Sequence, residues 1–354
     1  MSNKDLSRRT AIEAVFDGTN ITESLRPYLI SLTYTDSEED DGDDLQIKLH
    51  DRDGIWKSSW LPSAVNAAAS ERLHISTSIV RENWNGDGYD ILLPCGTFEL
   101  DSVDASGPPD TVTIKATALP YSSTIRQTQK CKAWEAYNLS GIAAEMAAAN
   151  GLRLMYESGE DPYYDRVEQV RTSDIAFLQK LCKQAGISLK ASDGMLVLFD
   201  QKKYEGKKSV LTIRRGDGTY SKYKLAIGTA DTEYTSCRVS YTNPKTGKCI
   251  SGTATVEDYN EKSKNNQQLE IKAKVSSIGE AKKLAAKKLR EHNKFERTIT
   301  MDMPGRPSMV AGITLNISGF GFWDGKYIVS EAKHTVDSSG YKTSVKMRCV
   351  LEGY

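Results

Sequence analysis

The chain has 354 residues, of which 39% are hydrophobic and 27% are charged, and its 47 basic residues balance its 47 acidic ones. This length permits two or three domains that each bury a core without a metal or a disulfide. The balanced charge gives no support to nucleic acid or an anionic membrane as the main partner. No apolar segment approaches the roughly 18 residues of a membrane span, and the N-terminus lacks the apolar stretch of a secretory signal.

Residues 1–120 are predicted to form a β domain. Apolar and polar residues alternate in segments such as DLQIKLH, and Asp-Gly turns at 17–18 and 53–54 separate them. Another turn, GPPD at 107–110, joins two later segments. Several short strands joined by such turns favour a closed or nearly closed β-barrel over a layer of βαβ units.

Residues 121–200 are predicted to form a small α+β insert. Two units of helix, glycine and strand follow one another, with Asn138 as the N-cap of the first helix and Gly151 at its end. Thr172 or Ser173 caps the second helix, and Gly186 ends it. A hairpin turn at 192–194 completes the second unit.

Residues 201–354 return to strands separated by glycine-containing turns and are predicted to form a second β-barrel domain. One amphipathic helix at about 276–293 interrupts them, with Ser276 or Ser277 as its N-cap and its lysines interpreted as a solvated face. An anionic partner for these lysines is the alternative. The predicted fold class is therefore α+β and mainly β: two barrels separated by a small insert, which is not the layout of an α/β enzyme.

Two polar stretches raise the question of a bound cation. The acidic run DSEEDDGDD, residues 36–44, lacks the glycine and the glutamate that an EF-hand loop requires at fixed positions, so a solvated loop is favoured. NWNGDGYD, residues 83–90, comes closer to that spacing but has proline where the loop needs its last carboxylate. A glycine-rich turn is the favoured interpretation there, with a cation site as the alternative.

No catalytic or metal-binding motif can be read from the sequence. The four histidines lack HxxxH and HExxH spacing and are interpreted as surface or structural residues: His50, His74, His292 and His334. The six cysteines lack CxxC spacing and are predicted to be reduced thiols in a protein assembled inside the cell. We therefore predict no catalytic residue, no cofactor and no metal, although carboxylates from distant strands could pair without leaving a motif.

The segment SGFGFWDG, residues 318–325, carries three aromatic side chains: Phe320, Phe322 and Trp323. It lacks GxGxxG spacing and precedes a strand, which argues against a phosphate-binding loop. We predict a contact surface for another protein. The alternative is a hairpin tip that packs its aromatic rings on its own barrel.

The order of these pieces resembles the phage late control protein D family, the baseplate hub of contractile tails, which is related to the hub part of VgrG spikes. The resemblance rests on LSGIAAEMAAANGLRLMYE, on VRTSDIAFLQKLCKQAGISLKASDGMLVLFD and on the stretch from EAKKLAAKKLREHNK to HTVDSSGYKT. DDLQIKLHDRDGIWKSSWLP and CGTFELDSVDASGPPDTVTIKATA also look like the hub pattern. Together these stretches cover most of the chain.

The resemblance implies two tail-tube-like barrels per chain and a homotrimer whose six barrels join a sixfold tail tube to a threefold central spike. The expected partners are further copies of the chain, the tube protein, the spike and other baseplate proteins. The expected location is a virion or tail-like particle assembled in the bacterial cytoplasm. The chain stops after its last predicted strands, so no fused lysozyme, peptidase or spike extension is expected. The alternatives are a cell-wall binding module and a cell-wall hydrolase.

Overall fold

The structure is a computed structural model that describes residues 7–39, 42–60, 73–119, 124–228, 234–243, 247–256, 259 and 266–351, with backbone only at 59–60. The predicted boundary at 120–121 and the centre of the acidic run, Asp40 and Asp41, lie outside these residues. The described chain is mainly strand with fewer helices, so the predicted α+β, mainly β class is confirmed.

The first part of the chain is built of antiparallel strands. They are β1 (Arg9–Phe16), β2 (Thr19–Asn20), β3 (Leu29–Ser37), β4 (Asp44–His50), β5 (His74–Glu82), β6 (Ile91–Ser106) and β7 (Thr111–Thr117). The helical pieces among them are α1 (Thr22–Leu25), a 3-10 turn (Arg26–Tyr28) and a π turn (Trp56–Trp60). The Asp-Gly turn at 17–18 joins β1 to β2, with both residues at positive φ, as the sequence predicts.

The middle part alternates helices and strands. Its elements are α2 (Thr124–Gln127), β8 (Lys130–Asn138), α3 (Leu139–Ala149), β9 (Arg153–Glu157), β10 (Tyr163–Thr172), α4 (Asp174–Ala185), β11 (Ser188–Ser192) and β12 (Met195–Phe199). Strands β11, β12 and β9 form one small sheet, in which β12 and β9 are parallel, and β8 and β10 form a separate two-stranded ribbon.

The predicted start and end of α4 are both confirmed. At the start, Ser173 accepts a hydrogen bond from the Ala176 amide, and at the end Gly186 adopts φ 66°. The cap of α3 differs from the prediction. Asn138 holds the N-cap position without a side-chain capping bond, and Asp161 instead accepts a hydrogen bond from the Ser140 amide at 2.9 Å.

The last part contains one long helix and nine strands in the described residues. The elements are α5 (Gln201–Glu205), β13 (Leu211–Arg214), β14 (Lys222–Ile227), β15 (Ser236–Thr242), β16 (Cys249–Thr255), β17 (Gln268–Lys272), α6 (Ile278–Asn293), β18 (Arg297–Pro304), β19 (Thr314–Ser318), a 3-10 turn (Gly321–Trp323), β20 (Gly325–Asp337) and β21 (Gly340–Cys349). The predicted helix is confirmed at α6, where Ser277 accepts a hydrogen bond from the Glu280 amide at 3.1 Å.

One large sheet joins the first and last parts of the chain. Its strand order is β14-β18-β21-β20-β3-β4-β7-β6-β5-β1-β2, and β19 and β13 extend it beside β20. The joint is the antiparallel pairing of β3 with β20, from Ser31 opposite Asp337 to Ser37 opposite Glu331. Strands β15 to β17 form a separate sheet against which α6 packs. The division into two barrels and an insert stays a prediction.

The apolar side chains gather in four cores. The first lies within β1 to β7 and also takes in Val336 and Tyr341 from the β20–β21 hairpin. The second lies between the helices and strands of the middle part, the third within β13, β14 and β18 to β21, and the fourth between α6 and β15 to β17. No helix in the part of the chain that the structure describes is long and apolar enough to cross a membrane.

Candidate functional site

Three carboxylates of the acidic run at 36–44 are buried, so the predicted solvated loop is wrong for this part of the described chain. Asp36, Glu38 and Asp43 are each at most 5% exposed. Carboxylates are rarely buried without cationic partners, because desolvation of an unpaired charge costs several kcal/mol. The partners come from the middle and last parts of the chain.

Lys190, on β11, lies between two of these carboxylates. Its ammonium group is 2.5 Å from Asp36 and 3.1 Å from Asp43. The second oxygen of Asp36 accepts a hydrogen bond from the Ala311 amide at 2.8 Å, and Asp43 accepts one from the Ser37 amide at 3.2 Å. The pair of carboxylates therefore links the end of β3 to β11 and to the loop before β19.

Arg348, near the end of β21, is fully buried between two other carboxylates. It donates two hydrogen bonds to Glu38, at 3.0 and 2.7 Å, and one to Glu205 of α5 at 2.5 Å. The paired bonds to Glu38 have the fork geometry that fixes both distance and orientation. Arg290 of α6 forms an ion pair with the same Glu205, so α6 is joined to this group.

Glu39 binds the end of α6 to the middle part of the chain. Its carboxylate forms an ion pair with Lys294 and accepts hydrogen bonds of 2.6 Å from both Ser188 and Gln201. We name the buried charged groups at this meeting point the charged junction, which consists of Asp36, Glu38, Glu39, Asp43, Lys190, Glu205, Arg290, Lys294 and Arg348.

The charges of the junction do not balance, since it holds five carboxylates and four cations. Burial raises the pKa of Asp43 to about 6, although Lys190 opposes the shift. Burial acts to lower the pKa of Lys190, and the adjacent Asp43 and Asp36 raise it by more. Burial and the nearby Arg348 lower the pKa of Lys294 to about 8. Such a group holds elements in fixed positions, and its carboxylates are committed to neighbouring donors.

His334 is a structural residue, which is one of the two roles that the sequence predicts for the histidines. It is completely buried, and its Nε2 lies 2.8 Å from the Met309 carbonyl, which can only accept, so Nε2 carries the proton. Its Nδ1 then accepts a hydrogen bond from the Tyr341 hydroxyl at 2.8 Å. Burial lowers the pKa of His334 to about 4, which keeps the ring neutral near pH 7.

The aromatic segment at 318–325 divides between core and surface. Phe320 belongs to the third core, and Trp323 packs partly buried against the same core. Phe322 is 61% exposed and lies under the Arg297 guanidinium. Phe320 and Trp323 therefore pack against the protein's own interior. The contact surface stays a prediction, and Phe322 is the exposed side chain of the three.

Phe322 lies beside the end strand of the large sheet. Trp323, its neighbour, approaches the Ala226 carbonyl of β14 at 3.5 Å, and β14 also exposes Tyr223 and Ile227 by more than two fifths. In the described sheet β14 pairs with β18 on one side only. We name Tyr223, Ile227 and Phe322 the edge patch.

Three side-chain oxygens of the loop at 83–90 accept hydrogen bonds from the loop's own amides. Asn83 accepts a hydrogen bond from the Gly88 amide, Asp87 accepts one from Tyr89, and Asp90 accepts one from Asn83. This pattern is that of a turn. Within the described ranges no group of three or more His, Cys, Asp and Glu side chains is arranged to hold a metal ion.

The fold resembles that of several tail proteins of known structure. The 43 kDa tail protein of prophage MuSo2 from Shewanella oneidensis aligns with 96% of this chain and 98% of its own, with a TM-score of 0.66 and 13% identity. A tail protein from Neisseria meningitidis MC58 aligns with 96% of both chains, with a TM-score of 0.69 and 10% identity. A chain of the Francisella PdpA-VgrG complex aligns with 98% of this chain and 59% of its own, with a TM-score of 0.60 and 9% identity. At these identities the similarity shows a shared fold.

The family is shown by sequence. The phage tail baseplate hub (GPD) family matches residues 100–340, and the chain belongs to this family. The probable baseplate hub proteins of Escherichia phages P2 and 186 are 27% and 26% identical to it over 237 and 234 residues, which is 65% of this chain in each case. The matched regions cover 57% and 56% of those relatives, so the chain spans little more than half of their length.

Proposed function

We propose that the protein is a structural hub in which three copies form a ring that joins a sixfold tail tube to a threefold central spike. The ring would belong to the baseplate of a phage tail or a tail-like particle and would be assembled in the bacterial cytoplasm. Its partners would be its own copies, the tube protein, the spike and other baseplate proteins. Its role would be to transmit force through permanent interfaces and not to catalyse a reaction.

The family match over residues 100–340 is the observation that carries this proposal. The charged junction supplies a physical reason for it. A ring that transmits axial force must resist sliding of its parts, and the junction joins β3, β11, α5, α6 and β21 through bonds between residues as far as 310 positions apart. Pulling one partner away would leave the others charged in an apolar interior, which costs several kcal/mol.

The edge patch is our proposed contact with a neighbouring subunit or with the tube. An end strand offers unpaired backbone groups to another chain, and apolar side chains beside it add surface that can be buried. β14 combines both features, because Tyr223 and Ile227 lie on the end strand itself and Phe322 lies next to it. Of the three aromatic residues predicted to form a contact surface, the edge patch includes only Phe322, because Phe320 and Trp323 pack against the core.

Light scattering of the purified chain, alone and with its spike and tube proteins, tests both proposals. We expect a particle of three times the 39.2 kDa chain mass, with a ring and central channel in negative-stain images. The substitution Phe322→Ser should weaken the trimer or its assembly by about tenfold to a hundredfold, since burying a phenylalanine contributes about 1.5–3 kcal/mol. Tyr89→Ser, at a side chain 76% exposed in another loop, is the control.

Two outcomes would contradict the hub proposal, and a third would contradict the edge patch alone. A monomer that fails to associate with spike or tube, yet sediments with purified peptidoglycan, would favour a cell-wall binding module. Clearing of a cell-wall suspension that one Asp or Glu substitution abolishes would favour a hydrolase. A normal trimer carrying Phe322→Ser that assembles fully would keep the hub and remove the edge patch.

A further inference from the structure

A cleft of about 650 Å³ opens beside the charged junction, between the middle part of the chain and α6. Its walls come from the end of α4, the loop at 159–160, α5 and one side of α6. This volume lies in the usual range for a ligand site. Seven cations and four carboxylates line it: Lys183, Lys202, Lys203, Lys283, Lys287, Arg290 and Lys294, with Glu39, Glu160, Asp200 and Glu291.

The carboxylates of the cleft are already bound by its inner cations and by other donors. Glu160 lies 2.8 Å from Lys287, and Asp200 accepts hydrogen bonds from Ser158 and from the Gly159 amide. Glu39 is held within the charged junction, and Glu291 is paired with Lys288 at 2.6 Å. The excess of positive charge therefore falls to the lysines at the rim.

The rim lysines belong to two different elements. Lys202 and Lys203 lie on α5 and are exposed, and Lys283 projects from α6 with its side chain 73% exposed. Lys203 lies 3.5 Å from Glu157 and Lys283 lies 3.6 Å from Glu160. These are long contacts on an exposed surface, where ion pairs contribute little. These lysines can exchange such contacts for a ligand at low cost.

The helix directions select the kind of anion. Helix α4 points its C-terminal end at the cleft, where the Ala185 carbonyl accepts a hydrogen bond from Lys287 at 3.3 Å, and the last turns of α6 form the adjoining wall. The C-terminal end of a helix carries partial negative charge, which disfavours a compact phosphate. Carboxylates spread along an extended chain can reach the rim lysines without approaching these helix ends.

We propose that this cleft binds an acidic, extended peptide segment of a partner protein, whose carboxylates contact Lys202, Lys203 and Lys283 while its backbone lies against Ala286 and the lysine stems. The proposal concerns a further site and does not depend on the trimer or on the edge patch. It gives a function to the lysines of α6, which the sequence alone interprets as a solvated face.

Fluorescence anisotropy of labelled hexaglutamate, titrated with the full chain at about 0.15 M ionic strength, where charges more than about 8 Å apart are largely screened, tests the proposal. The triple variant Lys202→Glu, Lys203→Glu, Lys283→Glu should lose about tenfold or more in affinity, as expected for three exposed ion pairs. Its matched control is Lys180→Glu, Lys208→Glu, Lys282→Glu, which makes the same charge change at exposed lysines outside the cleft and should change affinity less than about twofold. Circular dichroism checks that both variants fold.

A second variant tests the cleft without removing a lysine. Ala286→Glu, on the cleft wall, should weaken hexaglutamate binding as well. Equal losses in the two triple variants would overturn the proposal and leave Lys203 and Lys283 with their surface carboxylate partners alone. Binding of inorganic tripolyphosphate without binding of hexaglutamate would also overturn it, in favour of a phosphate site.

Discussion

At the scale of single residues, the protonation of Asp43 is coupled to folding. The unfolded carboxyl titrates near 3.8 and the folded one near 6, so the folded state binds the proton more tightly. The contribution of Asp43 to stability is therefore full below the lower value and is lost as pH rises through the upper one. The shift corresponds to about 3 kcal/mol in all.

Replacing Asp43→Asn should remove this dependence. Between about pH 4 and 6 the free energy of unfolding of the natural chain should fall by about 3 kcal/mol relative to that of the variant, because asparagine does not titrate. Urea unfolding at four pH values in this range measures both curves. Asp337→Asn is the control, because hydrogen bonds from Ser339 lower the pKa of Asp337. The contribution of Asp337 to stability is lost only as pH falls below 3.8, so the curve of this variant should parallel that of the natural chain in this range. Parallel curves for Asp43→Asn and the natural chain would contradict the prediction.

At the scale of elements, α6 packs closely on its sheet because Gly252 of β16 has no side chain. A Cβ on Gly252 of β16 would lie 2.5 Å from the Lys282 backbone nitrogen and 2.8 Å from the Ala281 carbonyl carbon. Backbone atoms inside a helix cannot turn aside as a side-chain end can. The glycine therefore sets how closely α6 approaches β15 to β17, and with it the position of one cleft wall.

Gly252→Ala should destabilise the protein by about 1–3 kcal/mol, since an added methyl group must push the helix and strand apart. Gly279→Ala is the matched control in the first turn of α6, where the nearest atom is 3.9 Å away. That change should stabilise the helix by up to about 1 kcal/mol, the difference in helix propensity. Denaturant midpoints of the two variants give the comparison, and a neutral Gly252→Ala would show that the contact can relax.

At the scale of the whole molecule, Arg348 joins the parts of the chain. Its two carboxylate partners, Glu38 and Glu205, lie 310 and 143 positions away in the sequence. Removal of this cation would leave Glu205 buried beside Arg290 and Glu38 buried near Lys294, each without its hydrogen bonds from Arg348. The effect should reach all parts of the fold.

Arg348→Met should lower the free energy of unfolding by about 3–5 kcal/mol, the usual loss when one partner of a buried ion pair is removed. Arg166→Met is the control, because Arg166 pairs with Glu135 and Glu168 on the surface and such pairs contribute at most about 1 kcal/mol. Chemical denaturation followed by fluorescence and by hydrogen exchange would measure the loss and its spread. An Arg348→Met protein as stable as Arg166→Met would contradict the proposed role of the junction.

The sequence predicts features that depend on a few neighbouring residues. The caps at Ser173 and Ser277 and the glycine at 186 are where the pattern indicates them, because a cap involves only the adjacent turn. It does not predict the charged junction, whose partners are far apart along the chain. The sequence also does not predict the ribbon of β8 and β10. There the polar Gln169 is buried and the adjacent apolar Val170 is exposed, which reverses the usual pattern of a half-buried strand.

The pairing of β3 with β20 has a consequence for how the chain is made. β3 ends at Ser37, but β20, which completes its hydrogen bonds, leaves the ribosome about 300 residues later. The same delay applies to Val336 and Tyr341, which complete the first core. At roughly 5–20 residues per second this delay lasts from about 15 to 60 seconds, during which β3 has an open edge. The first β region therefore cannot finish folding until β20 and β21 have been made, and a chain ended before them would expose that strand to other molecules.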